Sequence, residues 1–326
     1  MFFPKSFKCL LLGLLSAMAL GIALQSHAQT YPNRPIKLVT TAPPGTGPDL
    51  LARLLATSMS TALGQAVVVE SKVGANGNIA ADFVAKSPAD GYTLLIGSDA
   101  VLAINPHIYA RLPFNPQTDF VPLATLISQE LFLVLNPAVP AKNLKEFIEL
   151  ARKSNPPLSY GSASSGSQSH LAMEILKSRT GINLMHIPYK SGAAASLAAM
   201  SGEVSAVFGA TALKPQIAAG KLKALATTGP KRSPGLPDVP TVGETIPGFE
   251  GLLWIGLLAP AGTPPTVVAI IRDQVQKFLL APESVEKLSA AGFDPFVTTP
   301  DDFRELIKND YAKYGQVTRA ANLKVD

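Results

Sequence analysis

An α/β fold in two domains is predicted by three features of this sequence. Short apolar runs that suit strands alternate with segments of helical periodicity, which favours mostly parallel sheets covered by helices. The chain has 326 residues, which is long for a single hydrophobic core. Two proline-rich stretches, 105–122 and 229–251, mark the points where the chain is expected to pass between the domains.

The first third of the chain is predicted to contain three strands and two helices. Leu51, Leu55 and Met59 recur at helical spacing, and Gly64 ends that helix. The second helix stops before Pro88, because the residue before a proline avoids helical angles. The predicted segments are Ile36–Thr40, 51–63, Ala66–Glu70, Ile79–Lys86 and Tyr92–Ile96.

The rest of the chain repeats this alternation of strands and helices. Its last helix is predicted from an N-cap pattern, Thr299-Pro300-Asp301-Asp302. The predicted strands are Leu131–Leu135, Leu158–Tyr160, Leu184–Tyr189, Val204–Phe208, Leu222–Thr227 and Trp254–Leu258. The predicted helices are Leu144–Lys153, a segment after Ser167, Ala193–Ser201, Pro265–Leu280 and Pro282–Ala291.

Residues 1–28 are predicted to be a secretory signal peptide. Lys5 and Lys8 form a basic start, Leu10–Leu24 is apolar, and Ser26-His27-Ala28 is a small-x-small cleavage site. An uncleaved anchor is the alternative, but the apolar run is short for a membrane span. We therefore expect cleavage after Ala28 and a periplasmic location.

Cleavage leaves 298 residues, which we divide into two lobes. Lobe 1 is predicted to be discontinuous, residues 29–128 plus 249–326, and lobe 2 to be residues 129–248. Loss of Lys5 and Lys8 lowers the formal net charge from +5 to +3, and no Lys/Arg run suits nucleic acid or a membrane surface. The single cysteine, Cys9, leaves with the leader, which excludes disulfides and a thiolate nucleophile from the mature chain.

The loop after the first strand is a candidate anion site. It reads Pro43-Pro44-Gly45-Thr46-Gly47, and Pro48-Asp49 opens the next helix. The first N–H groups of a helix lack internal partners and lie at the positive end of the helix dipole, so they suit an anion. A dinucleotide fingerprint is one competitor, although Leu50 stands where its third glycine belongs. A purely structural strand–helix connection is the other.

A second loop, Gly161–Ser167, also follows a strand and precedes a helix. Its hydroxyls at Ser162, Ser165 and Ser167, and the N–H groups of Gly166 and Ser167, are candidate donors. One such loop in each lobe predicts a ligand held between the lobes. Ser167 has the alternative role of a helix N-cap.

His170 follows this serine-rich loop and raises the possibility of a hydrolase. No Gly-x-Ser-x-Gly elbow occurs, and packing is the alternative role of His170. No histidine has a metal-ligand spacing.

Asp49 could bind an ammonium group of a ligand, or it could simply complement the start of its helix. Lys190 could offset the charge of a ligand, or it could be a solvated lysine. Ser98, Asp99 and Thr211 follow strands on the side of the predicted cleft and are further candidate contacts.

Ten segments together resemble the tripartite tricarboxylate transporter substrate-binding proteins, the extracytoplasmic Bug family. They read YPNRPIKLV, APPGTGPDLLAR, LGQAVVVESKVGANGNIAA, PADGYTLLIGS, LPFNPQTDFVPL, YGSASSGSQSHLA, HIPYK, IAAGKLKALATT, LPDVPTVGE and WIGLLAPAGTPP. The resemblance covers nearly all of the mature chain.

The resemblance implies a periplasmic-binding-protein fold, in which two Rossmann-like α/β lobes joined by a hinge close on a ligand cleft. It implies capture of a small carboxylate by Gly45-Thr46-Gly47 and by Ser162 to Ser167, with no chemistry on the ligand. Delivery to membrane permease subunits is also implied. We expect a monomer that uses no cofactor or metal and binds no nucleic acid.

This chain departs from the family pattern in both regions. Thr46 replaces the second glycine of Pro-Pro-Gly-Gly, which makes Thr46 a candidate determinant of ligand choice. Ser191, Ala198 and Ser205 stand where the family commonly has Gly, Asp and Asp, which favours an anionic or aromatic carboxylate over a ligand with an amine. The sequence thus predicts a solute receptor. The alternatives are an exported serine hydrolase using Ser165 or Ser167 with His170, and a sensor subunit for a membrane receptor kinase.

Overall fold

The computed structural model describes residues 31–249 and 251–325 of the chain. The predicted signal peptide, residues 1–28, lies outside the described residues. The described part contains a six-stranded and a five-stranded sheet with helices packed against both. None of the helices it describes is long and apolar enough to cross a membrane.

The strands and helices alternate along the described chain as the sequence predicts. The strands are β1 Ile36–Thr40, β2 Val67–Ser71, β3 Thr93–Ser98, β4 Phe120–Gln129, β5 Leu131–Leu135, β6 Ser159–Ser162, β7 Met185–Pro188, β8 Ala206–Ala210, β9 Lys223–Thr227, β10 Leu253–Pro260 and β11 Asp294–Pro295. The helices are α1 Gly47–Leu63, α2 Asn78–Ala85, α3 Asn105–Ile108, α4 Leu144–Lys153, α5 Gln168–Thr180, α6 Gly192–Ser201, α7 Lys214–Ala218, α8 Val242–Thr245, α9 Pro265–Leu280, α10 Pro282–Ala290 and α11 Pro300–Ala320.

The two sheets are mixed, so the expectation of mostly parallel sheets is wrong. The first has the order β11-β4-β10-β3-β1-β2 and the second β7-β6-β8-β5-β9. Pairing is parallel around β1 and around β6. It is antiparallel around β10 and β5. Strand β5 is the first that the chain forms in the second sheet, and β10 is the first that it forms after returning to the first sheet. Both run antiparallel to the neighbouring strands of the βαβ units.

The chain passes between the sheets twice. Strand β4 ends at Gln129 in the first sheet and β5 begins at Leu131 in the second. Strand β9 ends at Thr227 in the second sheet, and β10 returns to the first at Leu253. We call the part built on the first sheet lobe 1 and the other lobe 2. Their bounds at 128/129 and 248/249 remain our prediction, but Gln129 is counted below with lobe 1 because it is the last residue of β4.

Each sheet has an apolar cluster on either face, as alternating side chains require. In β5, Leu131, Leu133 and Leu135 pack into one cluster, whereas Phe132 and Val134 pack into another. A further cluster joins the lobes and consists of Ala103, Ile104, Ile108, Leu171 and Tyr314. Leu171, on α5, is the buried residue that lobe 2 supplies to this cluster. Helix α5 therefore packs against lobe 1.

Candidate functional site

A cleft lies between the lobes, at the carboxyl ends of strands β3, β6 and β8. Its cavity has a volume of about 620 Å³, within the range of small-molecule sites. Lobe 1 lines it with Asn76, Ser98, Asp99, Ala100, Gln129 and Leu253. Lobe 2 lines it with Leu131, Ala163, Ser167, Gln168, Ser169, Gly192, Ala193, Ser196, Leu197, Met200, Phe208, Gly209, Ala210, Ala212, Leu213 and Gln216.

A second cavity of about 340 Å³ continues the cleft toward the loop after β1. The two cavities share Ser98, Gln129, Ala210, Ala212 and Leu253. Gly47 and Pro48, at the start of α1, line the second cavity, whereas Gly45 and Thr46 line neither.

The first loop is held together by its own hydrogen bonds. The Gly45 N–H donates to Asp49 Oδ2 at 2.9 Å, and the Thr46 hydroxyl donates to the Pro43 carbonyl at 2.7 Å. Arg53 Nε donates to the same Asp49 oxygen at 2.9 Å and is the main cause of the lowered pKa of Asp49. The buried Asp49 carboxylate therefore braces the loop.

The second loop is also largely satisfied internally. The Gly166 N–H donates to His170 Nδ1 at 3.0 Å, and the Ser167 N–H donates to the Ser164 carbonyl at 3.2 Å. The Ser167 hydroxyl donates to the same carbonyl at 2.7 Å and accepts from the His170 N–H as the N-cap of α5. The N–H groups of Gly166 and Ser167, which the sequence predicts as donors to a ligand, therefore already have acceptors within lobe 2.

Unpaired N–H donors occur at the starts of helices α5 and α6. The N–H groups of Gln168 and Ser169 open α5, and those of Gly192 and Ala193 open α6. None of the four has an acceptor among the described residues, and all four residues line the larger cavity. A Cβ added to Gly192 would lie 4.0 Å from Ala163 Cβ, so the two helix starts flank the second loop. The positive ends of both helix dipoles therefore lie in the wall of one cavity.

A buried polar cluster joins the lobes beside these donors. Gln168 Nε2, on lobe 2, donates to Asp99 Oδ2, to the Leu252 carbonyl at 2.9 Å and to Tyr314 Oη at 3.1 Å, all on lobe 1. Asp99 is fully buried, and this burial, with the charge of Asp310, raises its pKa to about 8. Asp99 is therefore mostly protonated at neutral pH.

A second contact between the lobes joins Thr211 and Gln129. The Thr211 hydroxyl, after β8, donates to the Gly292 carbonyl at 2.6 Å. Gln129 Nε2 donates both to Thr211 Oγ1 and to the Gly292 carbonyl, at 3.0 Å each. Thr211 thus lies at the lobe junction rather than in the cavity wall.

Comparison with known families identifies the chain. The sequence model of TctC, described as the tripartite tricarboxylate transporter family receptor, matches residues 51–323. The chain belongs to the TctC receptor family. This confirms the resemblance that its motifs predict, and members of the family are solute-binding receptors rather than enzymes.

Solved and curated relatives of this TctC receptor agree with that assignment. It is 35% identical over 317 residues to Protein BugT of Bordetella pertussis, covering 96% of this chain and 97% of BugT. It is 33% identical to R. palustris Rpa4515, solved with adipate, at a TM-score of 0.80, covering 90% of this chain and 99% of that one. Periplasmic binding protein BugD is 32% identical at a TM-score of 0.77, covering 90% and 99%. The two-lobed periplasmic-binding-protein fold is thereby confirmed.

Family membership and the geometry of His170 and the serines both argue against the serine hydrolase alternative. His170 Nδ1 already accepts the Gly166 N–H, and burial lowers the pKa of His170 to about 3. The Ser167 hydroxyl is directed to a loop carbonyl, and Ser165 is exposed. In this TctC receptor His170 braces the second loop and stacks on His186, with ring centroids 3.8 Å apart.

The remaining predicted site residues divide into two groups. Ser98, Asp99 and Ser167 line the larger cavity, and Gly47 lines its continuation. The predicted residues outside both cavity walls are Gly45, Thr46, Asp49, Ser162, Ser165, Gly166, His170, Lys190 and Thr211. Ser162 Oγ instead lies 2.7 Å from His186 Nε2, and Lys190 is exposed. A metal-ligating cluster of His, Cys, Asp or Glu does not occur within residues 31–249 and 251–325.

Sequence reasoning missed Gln129, Gln168 and the start of α6. The sequence does contain a signal for Gly192 and Ala193, since they follow strand β7 just as Gln168 and Ser169 follow β6. No local signal marks Gln129 or the Gln168 side chain, because their partners belong to the other lobe.

Proposed function

We propose that this receptor captures a small carboxylate in the cleft and delivers it to the permease subunits of a tripartite tricarboxylate-type transporter. The observation that carries the proposal is the set of four unpaired N–H groups at the starts of α5 and α6, whose residues all line one cavity. Hydrogen bonds from such donors to a carboxylate are charge-assisted and stronger than bonds between neutral groups. The relative that holds adipate supports a carboxylate ligand.

Closure of the lobes is the second part of the proposal. Gln168 and Thr211 lie on lobe 2 and bond to lobe 1 at two separate points. When the lobes approach over a ligand, water leaves the cleft and the bonds to the carboxylate strengthen. The closed form is then the one that a permease recognises.

The place of action completes the proposal. We infer that the leader is cleaved after Ala28 and that the mature receptor is a monomer. Its work in the periplasm is supported by its family membership. N-terminal sequencing of the exported protein should begin at Gln29, and light scattering should give the mass of one chain. A different first residue or a stable dimer would contradict these two points.

The carboxylate site is tested by removing one donor without disturbing its helix. In Gly192→Pro the N–H of residue 192 is lost, yet proline is favoured at the first helical position and Ser191 before it is extended. Gly192→Ala is the matched control, because it keeps the N–H and its Cβ meets nothing closer than 4.0 Å.

We expect calorimetry with a panel of carboxylates to detect binding to the wild-type receptor. Gly192→Pro should weaken the affinity about 10- to 100-fold, the value of one hydrogen bond to a charged group of about 1.5–3 kcal/mol. Gly192→Ala should bind within about threefold of wild type. Equal affinities for the proline and alanine variants would place the carboxylate elsewhere, and no binding across the panel would refute the receptor's proposed ligand class.

A further inference from the structure

Two buried side-chain oxygens at the lobe junction have no hydrogen-bond partner among the described residues. They are Asp99 Oδ1, on lobe 1, and Gln168 Oε1, on lobe 2. Asp99 is fully buried and Gln168 is 8% exposed. Buried polar atoms in folded proteins are nearly always paired, so two unpaired oxygens at one contact need an explanation.

The two unpaired oxygens belong to groups that are already bonded to each other. Gln168 Nε2 donates to Asp99 Oδ2, which joins the amide of one lobe to the carboxyl group of the other. An ionised carboxylate only accepts hydrogen bonds and cannot bond to an amide oxygen, whereas a protonated carboxyl group has an O–H donor. A proton on Oδ1 that donates to Gln168 Oε1 satisfies both oxygens with one bond.

The surroundings of Asp99 favour its acid form. Among the described residues, the titratable groups that act on Asp99 belong to helix α11 and are Asp310, Lys313 and Tyr314. Asp310 accepts from Lys313 Nζ at 2.6 Å, so this cation already has a carboxylate partner. Helix α5 and the segment before β10 contribute the Gln168 amide and a backbone carbonyl, both uncharged. Burial and the charge of Asp310 raise the pKa of Asp99 to about 8.

This contact lies in the wall of the cavity that is proposed to bind the ligand. Asp99 and Gln168 both line the larger cavity. Gln168 is the first residue of α5, and its N–H and that of Ser169 are two of the four unpaired donors. A bond that fixes the Gln168 side chain to lobe 1 therefore also fixes the helix start that offers these donors. An ionised Asp99 would instead add a negative charge to the wall of an anion site.

We propose that Asp99 is a positioning residue of the binding site, which in its acid form pairs with the Gln168 amide through two hydrogen bonds across the lobe junction. The O–H at Oδ1 donates to Gln168 Oε1, and Gln168 Nε2 donates to Oδ2. The pair holds the start of α5 against lobe 1, and its proton keeps a negative charge away from the carboxylate. Ligand capture is therefore linked to one proton. The link to the ligand rests on the proposed function, whereas the pair itself does not.

The pH dependence of binding tests the role of the proton. The probes for calorimetry are adipate and the tightest-binding carboxylate of the panel that has no amine, because their carboxyl groups do not titrate between pH 7 and about pH 9.5. Asp99 holds its proton at pH 7 and releases it above about pH 8, where the ionised form opposes an anionic ligand. The affinity of the wild-type receptor should therefore fall about 10- to 30-fold between these two pH values. Nearly one proton per ligand should be taken up at the higher pH, measured in buffers of different ionisation enthalpy.

Asp99→Asn is the conservative variant that should remove this dependence. An asparagine amide can donate to Gln168 Oε1 and accept from Gln168 Nε2, so it reproduces both bonds of the pair without a titrating proton. Its affinity should change less than about threefold between the two pH values. Asp301→Asn is the control for the loss of a carboxyl group, because the Asp301 side chain is 91% exposed. This control should keep the pH dependence of the wild-type receptor.

Exchange of the two groups tests the pair itself. Gln168→Glu sets two carboxyl groups against each other and should weaken binding on the order of 100-fold at pH 7. Addition of Asp99→Asn restores an acid–amide pair in the reverse sense and should recover about tenfold. The recovery is partial, because the Leu252 carbonyl loses its bond from Gln168 Nε2. Denaturant unfolding of wild type, the two single variants and the double variant gives the same cycle without a ligand.

The outcomes separate this inference from the proposed function. An Asp99→Asn variant that keeps the pH dependence of the wild-type receptor overturns the role of the proton. Additive effects of Asp99→Asn and Gln168→Glu on binding and on unfolding overturn the pair. In both cases carboxylate capture stands. If no carboxylate binds, the proposed function and the positioning role fail together, and the unfolding cycle still decides whether the pair exists.

Discussion

Asp99 is expected to make the stability of this receptor fall as the pH rises from about 4 to about 8. Its carboxyl is fully buried at the lobe junction, where Oδ2 accepts from Gln168 and Oδ1 has no partner among the described residues. Desolvation and the neighbouring Asp310 raise its pKa from 3.8 to about 8, although the hydrogen bond from Gln168 and the charge of Lys313 act in the opposite direction. The perturbation that tests this is Asp99→Asn, which keeps an acceptor for Gln168 and removes the titration.

The sign and size follow from proton linkage. Between pH 4 and pH 8 the folded protein holds a proton on Asp99 that the unfolded chain has released, so the unfolded state is favoured as the pH rises. Each pH unit in this window lowers the free energy of unfolding by about 1.4 kcal/mol, up to about 4 kcal/mol at pH 7. Above about pH 8 the loss levels off. The asparagine variant should therefore become more stable than wild type as the pH rises.

Denaturant unfolding at several pH values measures this difference directly. The sole tryptophan of the chain, Trp254, is buried and reports unfolding by its emission. The free energy of unfolding of Asp99→Asn minus that of wild type should increase from pH 4 to pH 8, whatever its value at pH 4. Asp301→Asn is the control, because the Asp301 side chain is 91% exposed. A difference that stays constant over this range would refute the assignment of a buried, protonated Asp99.

Two further predictions concern the lobe junction and the first loop. Gly292→Ala should lower ligand affinity about five- to tenfold and widen the receptor in small-angle scattering, because the new Cβ would lie 2.5 Å from Thr211 Oγ1 and disrupt that contact. Thr46→Gly should lower the free energy of unfolding by about 1 kcal/mol without changing the order of ligand affinities, because the Thr46 hydroxyl serves the loop and lies outside both cavities.

Gly220→Ala is the control for the first of these. Gly220 also has a positive φ, of 68°, but its Cβ would meet nothing within 4 Å, so it shares the backbone strain without the contact. If both alanine variants bind and scatter alike, the Thr211 contact does not govern the lobes. A changed ligand preference in Thr46→Gly would contradict this prediction. It would show that Thr46 determines ligand choice, as its departure from the family pattern indicates.

The elements that local sequence patterns determine were predicted closely. Helices Leu144–Lys153 and Pro265–Leu280 have the predicted bounds, and Thr299 caps α11 by accepting from the Asp302 N–H at 3.1 Å. Strand β4 was missed, because Pro122 within it resembles a loop signal. Its pairing with β10 tolerates the proline at a register shift, which no local pattern reveals.

The sequence by itself determined the class of molecule: the α/β alternation, the two strand–loop–helix anion motifs and the receptor family. These features depend on residues a few positions apart, whose periodicity, capping and turn preferences act locally. Only the tertiary structure decided which donors remain free. The N–H of Gly166 is taken by a histidine four residues away, whereas Gln168 reaches Asp99 and Tyr314, 69 and 146 residues distant along the chain. Such contacts arise from packing between the lobes, which is why no local pattern in the sequence reveals them.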